Sequence, residues 1–325
     1  MGRTRFIRLW ALVPLLAAGA EPALCDWRPS RNVEIVASAA PGGGNDAVAQ
    51  LIQRVFQEQR LVGSATVVLK RGRGVAALSY VNQHAGDGHY LAITTPALLT
   101  NRLVGDGPLT HADVTPIATL SSEYMLVAVR ADSPIATGGE LSSRLRGDAS
   151  SVSFGFGSAV GNLNHVTAGL LVRAAGGDVR RLRVRVYDAG TKALAAAASG
   201  EVDAVVATAG SLLVQARTKK MRLLGLTAPR RLGGPLTGVP TWKEQGLDVV
   251  LSSWRGVAGP RGLTPEQVAY WEEAFLKLTF TGEWLDELNQ RSLESTYLNS
   301  SETRRFLDAQ SSVLRNALTD LGLAK

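Results

Sequence analysis

The feature that most constrains this chain is a junction that occurs twice. A short β-branched run ends in a glycine-rich loop, and an apolar helical pattern starts straight after it. The first junction joins Val33–Ala37 through Pro41-Gly42-Gly43-Gly44-Asn45-Asp46 to Val48, Leu51, Ile52, Val55 and Phe56, spaced i, i+3, i+4, i+7, i+8. The second joins Val152–Phe156 through Gly157-Ser158-Ala159-Val160-Gly161-Asn162 to a helix over Asn164–Ala174. Between and after them the same rhythm continues: strand Thr66–Leu69, helix Val75–His84, strand Tyr90–Thr94, then strand Leu182–Val186, helix Ala193–Ser199 and strands Ala204–Ala207 and Leu223–Leu226. Strand–helix–strand repetition predicts parallel α/β sheets with right-handed crossovers. The restart at Val152 predicts two lobes, each with its own sheet. The last third predicts helices. Thr264-Pro265-Glu266-Gln267 is a capping box with proline at the first helical position. Another helix opens at Ser301-Glu302, with Phe306, Val313, Ala317 and Leu321 along one side and Gln310 interrupting them. Both are expected to pack on the first lobe.

Composition narrows the functional classes. The net charge of +7 includes three arginines and one glutamate in the first 25 residues, which leaves +5 for the rest. So small an excess gives no case for nucleic-acid binding. One cysteine excludes a disulfide framework, and His84, His89, His111 and His165 show no metal-ligand spacing. There is no G-x-S-x-G elbow, no Walker loop and no H-E-x-x-H. Gly155-Phe156-Gly157 begins like a dinucleotide fingerprint, but its third glycine, Gly161, falls one residue late. Neither catalysis nor a cofactor is expected. At the N-terminus, Arg3, Arg5 and Arg8 precede the twelve apolar residues Leu9–Ala20, too short for a comfortable membrane span and the length of a signal h-region. Small residues at Ala18–Ala20 or Ala23–Cys25 offer cleavage, so residues 1–25 are expected to be a Sec signal peptide and the mature protein periplasmic. Lipidation of Cys25 is disfavoured by the bulky Leu24.

Both glycine loops suit anions. Glycine lets the backbone come close to a ligand, and amides at a helix start point outward with the positive end of the dipole. Asn45 or Asp46 could equally be an N-cap of an ordinary turn. In the second loop Ser158, Asn162 and His165 add side-chain donors, with the alternative again a capped turn. Both loops fall at the carboxyl ends of strands, where open α/β sheets bind ligands.

The segments Ala40-Pro41-Gly42-Gly43-Gly44-Asn45-Asp46, Ala85-Gly86-Asp87-Gly88-His89-Tyr90, Gly157-Ser158…Gly161…His165, Tyr187-Asp188-Ala189-Gly190-Thr191, Gly200-Glu201-Val202-Asp203 and Val239-Pro240-Thr241-Trp242-Lys243-Glu244-Gln245-Gly246, with Ser253-Trp254 following, resemble in order and spacing the TctC/Bug family, the periplasmic receptors of tripartite tricarboxylate transporters. The resemblance runs from Val33 to about Leu278. It implies an α/β, two-lobed, Venus-flytrap periplasmic-binding-protein fold with crossing strands at Leu126–Arg130 and Arg222–Ala228. Lobe one would hold residues 27–129 plus 229–325, and lobe two residues 130–228. It also implies a monomer that captures a small organic carboxylate and delivers it to ion-gradient-driven membrane permease subunits. A receptor that presents its ligand to a sensor kinase is the alternative, and an envelope enzyme acting on a carboxylate a more distant one. The ligand-binding residues implied are Ser38, Pro41, Gly43, Gly44, Asn45, Asp46, Thr94 and Thr95 in lobe one. In lobe two they are Gly157, Ser158, Gly161, Asn162, His165, Tyr187, Thr191 and Asp203. The chain departs from the family at Ala37 and Ser38, where proline and an aromatic residue are usual, and at Gly169, where glutamate is common. Arg181, Arg183 and Arg185 alternate along one strand. They read as a solvated edge in preference to a docking face.

Overall fold

The structure is a computed structural model that describes residues 27–38, 44–70, 76–216 and 219–325. The expected signal peptide and residues Pro41 and Gly43 of the first glycine loop lie outside the described residues. In chain order the elements are β1 (Val33–Ala37), α1 (Gly44–Glu58), β2 (Thr66–Lys70), α2 (Ala76–Asn82), β3 (Tyr90–Thr94), α3 (Ala97–Val104) and β4 (Val114–Arg130). Next come α4 (Gly138–Gly147), β5 (Ser153–Gly157), α5 (Leu163–Ala175), β6 (Arg183–Tyr187), α6 (Gly190–Ser199), β7 (Ala204–Thr208), α7 (Ala209–Ala216) and β8 (Met221–Leu226). The chain ends with β9 (Ser252–Pro260), α8 (Pro265–Thr279), α9 (Gly282–Gln290), β10 (Glu294–Leu298) and α10 (Ser300–Asp320).

The two lobes repeat one strand order. In the first the sheet runs β2-β1-β3-β9-β4, and in the second β6-β5-β7-β4-β8. In each, three parallel strands come first and an antiparallel strand follows. The sheet is therefore mixed, not the wholly parallel one the strand–helix rhythm predicts. The antiparallel pairs arise where the chain passes between lobes, and short apolar runs carry no signal for that. β4 belongs to both sheets. It pairs with β9 up to Tyr124 and with β7 and β8 from Met125 onward. Leu126–Arg130 is thus the last part of a 17-residue strand whose first part lies in the other sheet.

Thr227 ties the junction together. Its amide donates to the Met125 carbonyl (2.9 Å), its hydroxyl oxygen accepts from the Met125 amide (2.9 Å), and its carbonyl accepts from the Leu251 amide (3.1 Å). The chain thus leaves after β8, makes an excursion around buried Trp242, and rejoins beside β9 at the same place.

α10 spans the lobes. Ser300 and Thr303 bond to Pro116 and Thr119 of β4, while Leu321 packs on Gly169 of α5 and Arg173 pairs with Asp320 at 2.9 Å. A Cβ built on Gly169 lies 3.1 Å from Leu321. A glutamate at this helix contact would be crowded, which accounts for the departure noted above. The buried stripe of α10 is Thr303, Leu307, Leu314, Ala317 and Leu318, one step round from the side the sequence suggested. It faces both lobes, not lobe one alone. At the far edge of the second sheet, β6 carries Arg183 and Arg185 exposed, each beside an acid: Arg183–Asp203 (3.5 Å) and Arg185–Glu201 (2.6 Å). Arg181 is not on the strand, as the sequence alternation suggested, but ends the short turn Val179–Arg181 before it, beside Asp148 (3.1 Å). That is a solvated, charge-protected edge.

Candidate functional site

The register of β4 brings the two lobes' loops to one place. Thr94, at the carboxyl end of β3, pairs with Gly256 of β9, and Arg255 beside it pairs with Ser121 of β4. Two residues further along β4 is Glu123, and two more is Met125, which pairs with Thr208 at the carboxyl end of β7. Side chains alternate along a strand. Trp254 therefore faces α10, where it meets Phe306, and Arg255 faces the other way with Ser121 and Glu123. On that face lies a cavity of about 510 Å³. Gly44 and Val48 of α1, Glu123, Arg255, Thr208 and Gly210 line it, with Arg291–Leu293 along one side. A larger cavity, about 630 Å³, lies between Arg230–Leu236 and the turn into β10. Its charged residues, Arg230 and Glu294, are already paired at 3.0 Å. The smaller cavity is the better candidate because the start of α1 in the first lobe and the carboxyl end of β7 in the second open on it.

Arg255 supplies positive charge there. Its Nη1 donates to the Trp254 carbonyl (3.1 Å) and the Ser253 hydroxyl (3.0 Å), which fixes the guanidinium against its own strand. Nη2 lies 3.6 Å from a Cβ built on Gly44 and, among the described residues, donates to no acceptor. Burial lowers its pKa from the usual guanidinium value, and the nearby charge of Glu123 opposes that. Glu123 is held from the other lobe: Oε1 accepts from the Gly210 amide (3.1 Å) in the first turn of α7. Burial pushes its carboxyl pKa up, against the pull of Thr208, Arg255 and the Gly210 amide. Sequence reasoning missed both residues. A signal was present, since each is a lone charge inside an apolar strand, Leu120-Ser121-Ser122-Glu123-Tyr124-Met125 and Trp254-Arg255-Gly256-Val257.

The expected first-lobe residues gather around α1 and β3. Gly44 opens α1 at the cavity, with backbone outside the left-handed region and space for a Cβ in ordinary contact with Arg255. No strained turn therefore calls for a glycine at this position. Asn45 donates to the Ser38 carbonyl (3.2 Å), a clasp across the loop, and the Ser38 hydroxyl accepts from the Ala77 amide (3.3 Å). Asp46, in the first turn of α1, is 1% exposed and accepts from Gln50 (3.1 Å). The Thr95 hydroxyl accepts from the Ala97 amide at the start of α3 (3.3 Å).

In the second lobe, Gly157, Ser158, Tyr187 and Thr191 meet at the carboxyl ends of β5 and β6. A Cβ on Gly157 would come within 2.6 Å of the Ala189 carbonyl carbon, so only glycine fits. The Ser158 amide donates to the Tyr187 carbonyl (2.9 Å), and its φ of 83° is the left-handed conformation that side chains resist. Asn162 caps α5, accepting from the His165 amide (3.1 Å) and donating to the Gly157 carbonyl (2.8 Å). Gly161 packs against Val104 of α3 and Leu318 and Leu323 of the C-terminal segment. His165 is buried, stacks on Phe156, and accepts from the Gly161 amide through Nδ1 (3.2 Å). Burial lowers its pKa to about 4. It is neutral at neutral pH and offers a ligand no charge. Among the described residues, this loop does not line the 510 Å³ cavity.

Asp203 sits elsewhere. It precedes β7, at the amino end of a parallel sheet, where it accepts from the Ser153 amide (2.8 Å) and hydroxyl (2.6 Å). It ties two strands together far from the loops.

This geometry, two α/β lobes of one strand order with a polar cavity between them, is that of a periplasmic solute-binding protein. The sequence pattern of the tripartite tricarboxylate transporter family receptors, TctC, matches residues 48–323, and the chain belongs to that family. A Pseudomonas sp. (strain P51) protein described as a UPF0065 protein in the tcbD-tcbE intergenic region is 29% identical over 248 residues, covering 74% of this chain and 71% of its own. A TctC solute-binding protein from Polaromonas superposes with a TM-score of 0.77 at 23% identity, over 90% of this chain and 99% of its own. An R. palustris protein solved with adipate superposes with a TM-score of 0.73 at 24% identity, over 91% of this chain and 99% of its own.

Proposed function

We propose that the protein captures a small organic carboxylate in the cavity between its lobes and delivers it, as a periplasmic receptor, to the membrane subunits of a tripartite tricarboxylate-type transporter, without chemical change to the ligand. One observation carries the reading. The Nη2 of Arg255, which donates to no acceptor among the described residues, and the start of α1 at Gly44 face the same cavity, so a guanidinium and the positive end of a helix address one anion. The family membership and the adipate complex of a similar fold support it. The affinity expected to depend on Arg255 is that of a charge-assisted hydrogen bond in a desolvated site, about 1.5–3 kcal/mol or roughly 10- to 100-fold. The test is calorimetric titration of the mature protein against a carboxylate library, then of Arg255→Met with whichever acids bind. Loss of affinity at an unchanged melting temperature supports the reading. Binding of sugars or cations but of no acid would overturn it, and wild-type affinity in Arg255→Met would move the anion away from this cavity.

A further inference from the structure

The cavity holds a second charge that a plain anion site does not need. Glu123 and Arg255 sit on adjacent antiparallel strands, on one face of the sheet, and offset by one pair, since Arg255 opposes Ser121 and Glu123 opposes Ser253. Diagonal neighbours of this kind lie about 7–8 Å apart, with their Cβ atoms somewhat closer. The two charges do not touch. Among the described residues Arg255 makes no ion pair within 4 Å, and Glu123 bonds to Gly210 of the second lobe instead. Both line the same cavity. Among the described residues the other cation there, Arg291, is already paired with Glu287. Among those residues, the charges left over at the cavity are one positive and one negative group, set apart, over a shared space.

We propose that this cavity selects a carboxylate that also carries a positive charge, an amino-acid-like zwitterion, with Arg255 taking the carboxylate and Glu123, as the specificity-determining residue, taking the ammonium. The inference rests on the receptor reading above and narrows its ligand class. A dianion would set its second carboxylate against Glu123 in a desolvated space, where like charges repel most strongly. A zwitterion brings no net charge and answers both groups. A carboxylate has about four lone-pair sites, so the Gly210 amide leaves Glu123 room for a further donor.

Titration of wild type and Glu123→Gln with three sets of probes tests this: the common α-amino acids, the same acids without the amino group, and four- to six-carbon dicarboxylates. Glutamine keeps an oxygen for the Gly210 amide, so the start of α7 stays capped. In wild type the tightest probe is expected to be an amino acid. In Glu123→Gln its affinity falls at least tenfold while that of the dicarboxylates rises. Opposite movements cannot come from a damaged fold. A dicarboxylate or deaminated acid as the tightest wild-type probe overturns the inference and leaves the receptor reading standing. So does a variant in which amino acids and dicarboxylates weaken together. If no carboxylate of any set binds wild type, the receptor reading itself falls, and this inference with it.

Discussion

His165 shows how much a single burial can change a residue's role. In the sequence it reads as a donor in a ligand loop. In the fold it stacks on Phe156 and accepts a bond from the Gly161 amide, and burial holds its pKa at about 4 against an ordinary 6.5. The folded state disfavours the charged form. The stability that neutrality provides is therefore complete above about pH 6.5 and is lost as the pH falls toward 4, because the unfolded chain takes up the proton first. Carboxylates titrate in the same window, so the informative quantity is a difference. The melting temperature of wild type should drop more between pH 7 and pH 4 than that of His165→Gln, which keeps an acceptor for Gly161 but does not titrate. Parallel pH profiles would show that His165 is not held neutral. Asp46 is a second instance at this scale. A first-turn carboxylate beside a glycine loop suggests a ligand contact or a loop-holding role, and its burial and its bond to Gln50 favour the second.

Among the elements, the junction at β4 carries the most structural information in the fewest atoms. Thr227 is fully buried and serves Met125 through both backbone and hydroxyl. In Thr227→Val, a change of similar shape, the Met125 amide loses the hydroxyl acceptor and stays out of water. The expected cost is about 1–3 kcal/mol, read as a lower urea midpoint with the slope unchanged. A change in midpoint within error would mean that the backbone alone holds the junction. The sequence revealed elements in proportion to how local their cause is. Val33–Ala37 and Tyr90–Thr94 were legible to the residue, and the capping box at Thr264 forms both of its bonds, because hydrophobic period and cap chemistry act within a few residues. β9 and β10 were not legible. β9 contains Arg255, two glycines and a terminal proline, and β10 is a five-residue partner of β4 with no buried residue in it. Both exist because β4 offers edges, a fact of tertiary structure. The site followed the same rule. The glycine loops were visible as motifs, while Glu123 and Arg255, far apart in sequence, become neighbours only when β4 and β9 lie side by side.

At the scale of the molecule, the two lobes are joined more firmly than a pair of crossing strands requires. One apolar core runs from Val36 and Leu98 in the first lobe, through Leu307 and Leu314 of α10, to Leu171 and Phe154 in the second. α10 is bonded to β4 at Pro116 and Thr119 and packs on α5 at Gly169. The Arg173–Asp320 pair beside that contact is exposed and contributes little. The join is therefore mainly hydrophobic, and it includes Trp254, which faces away from Arg255, together with Met125, Val127 and Val129 of β4. Gly44, Glu123 and Arg255, which line the cavity, are not part of this core. Proteins of this size with two domains often unfold in steps. A core shared through one helix predicts otherwise: a single calorimetric transition whose measured enthalpy equals the van't Hoff value. A chain stopped after Leu298, which lacks α10, exposes Trp254 and the α5 face together. It is expected to show no cooperative transition at all, in place of one surviving lobe. Two resolved peaks in the full chain, or a sharp residual melt in the shortened one, would show that each lobe is stable by itself and that α10 only decorates their boundary.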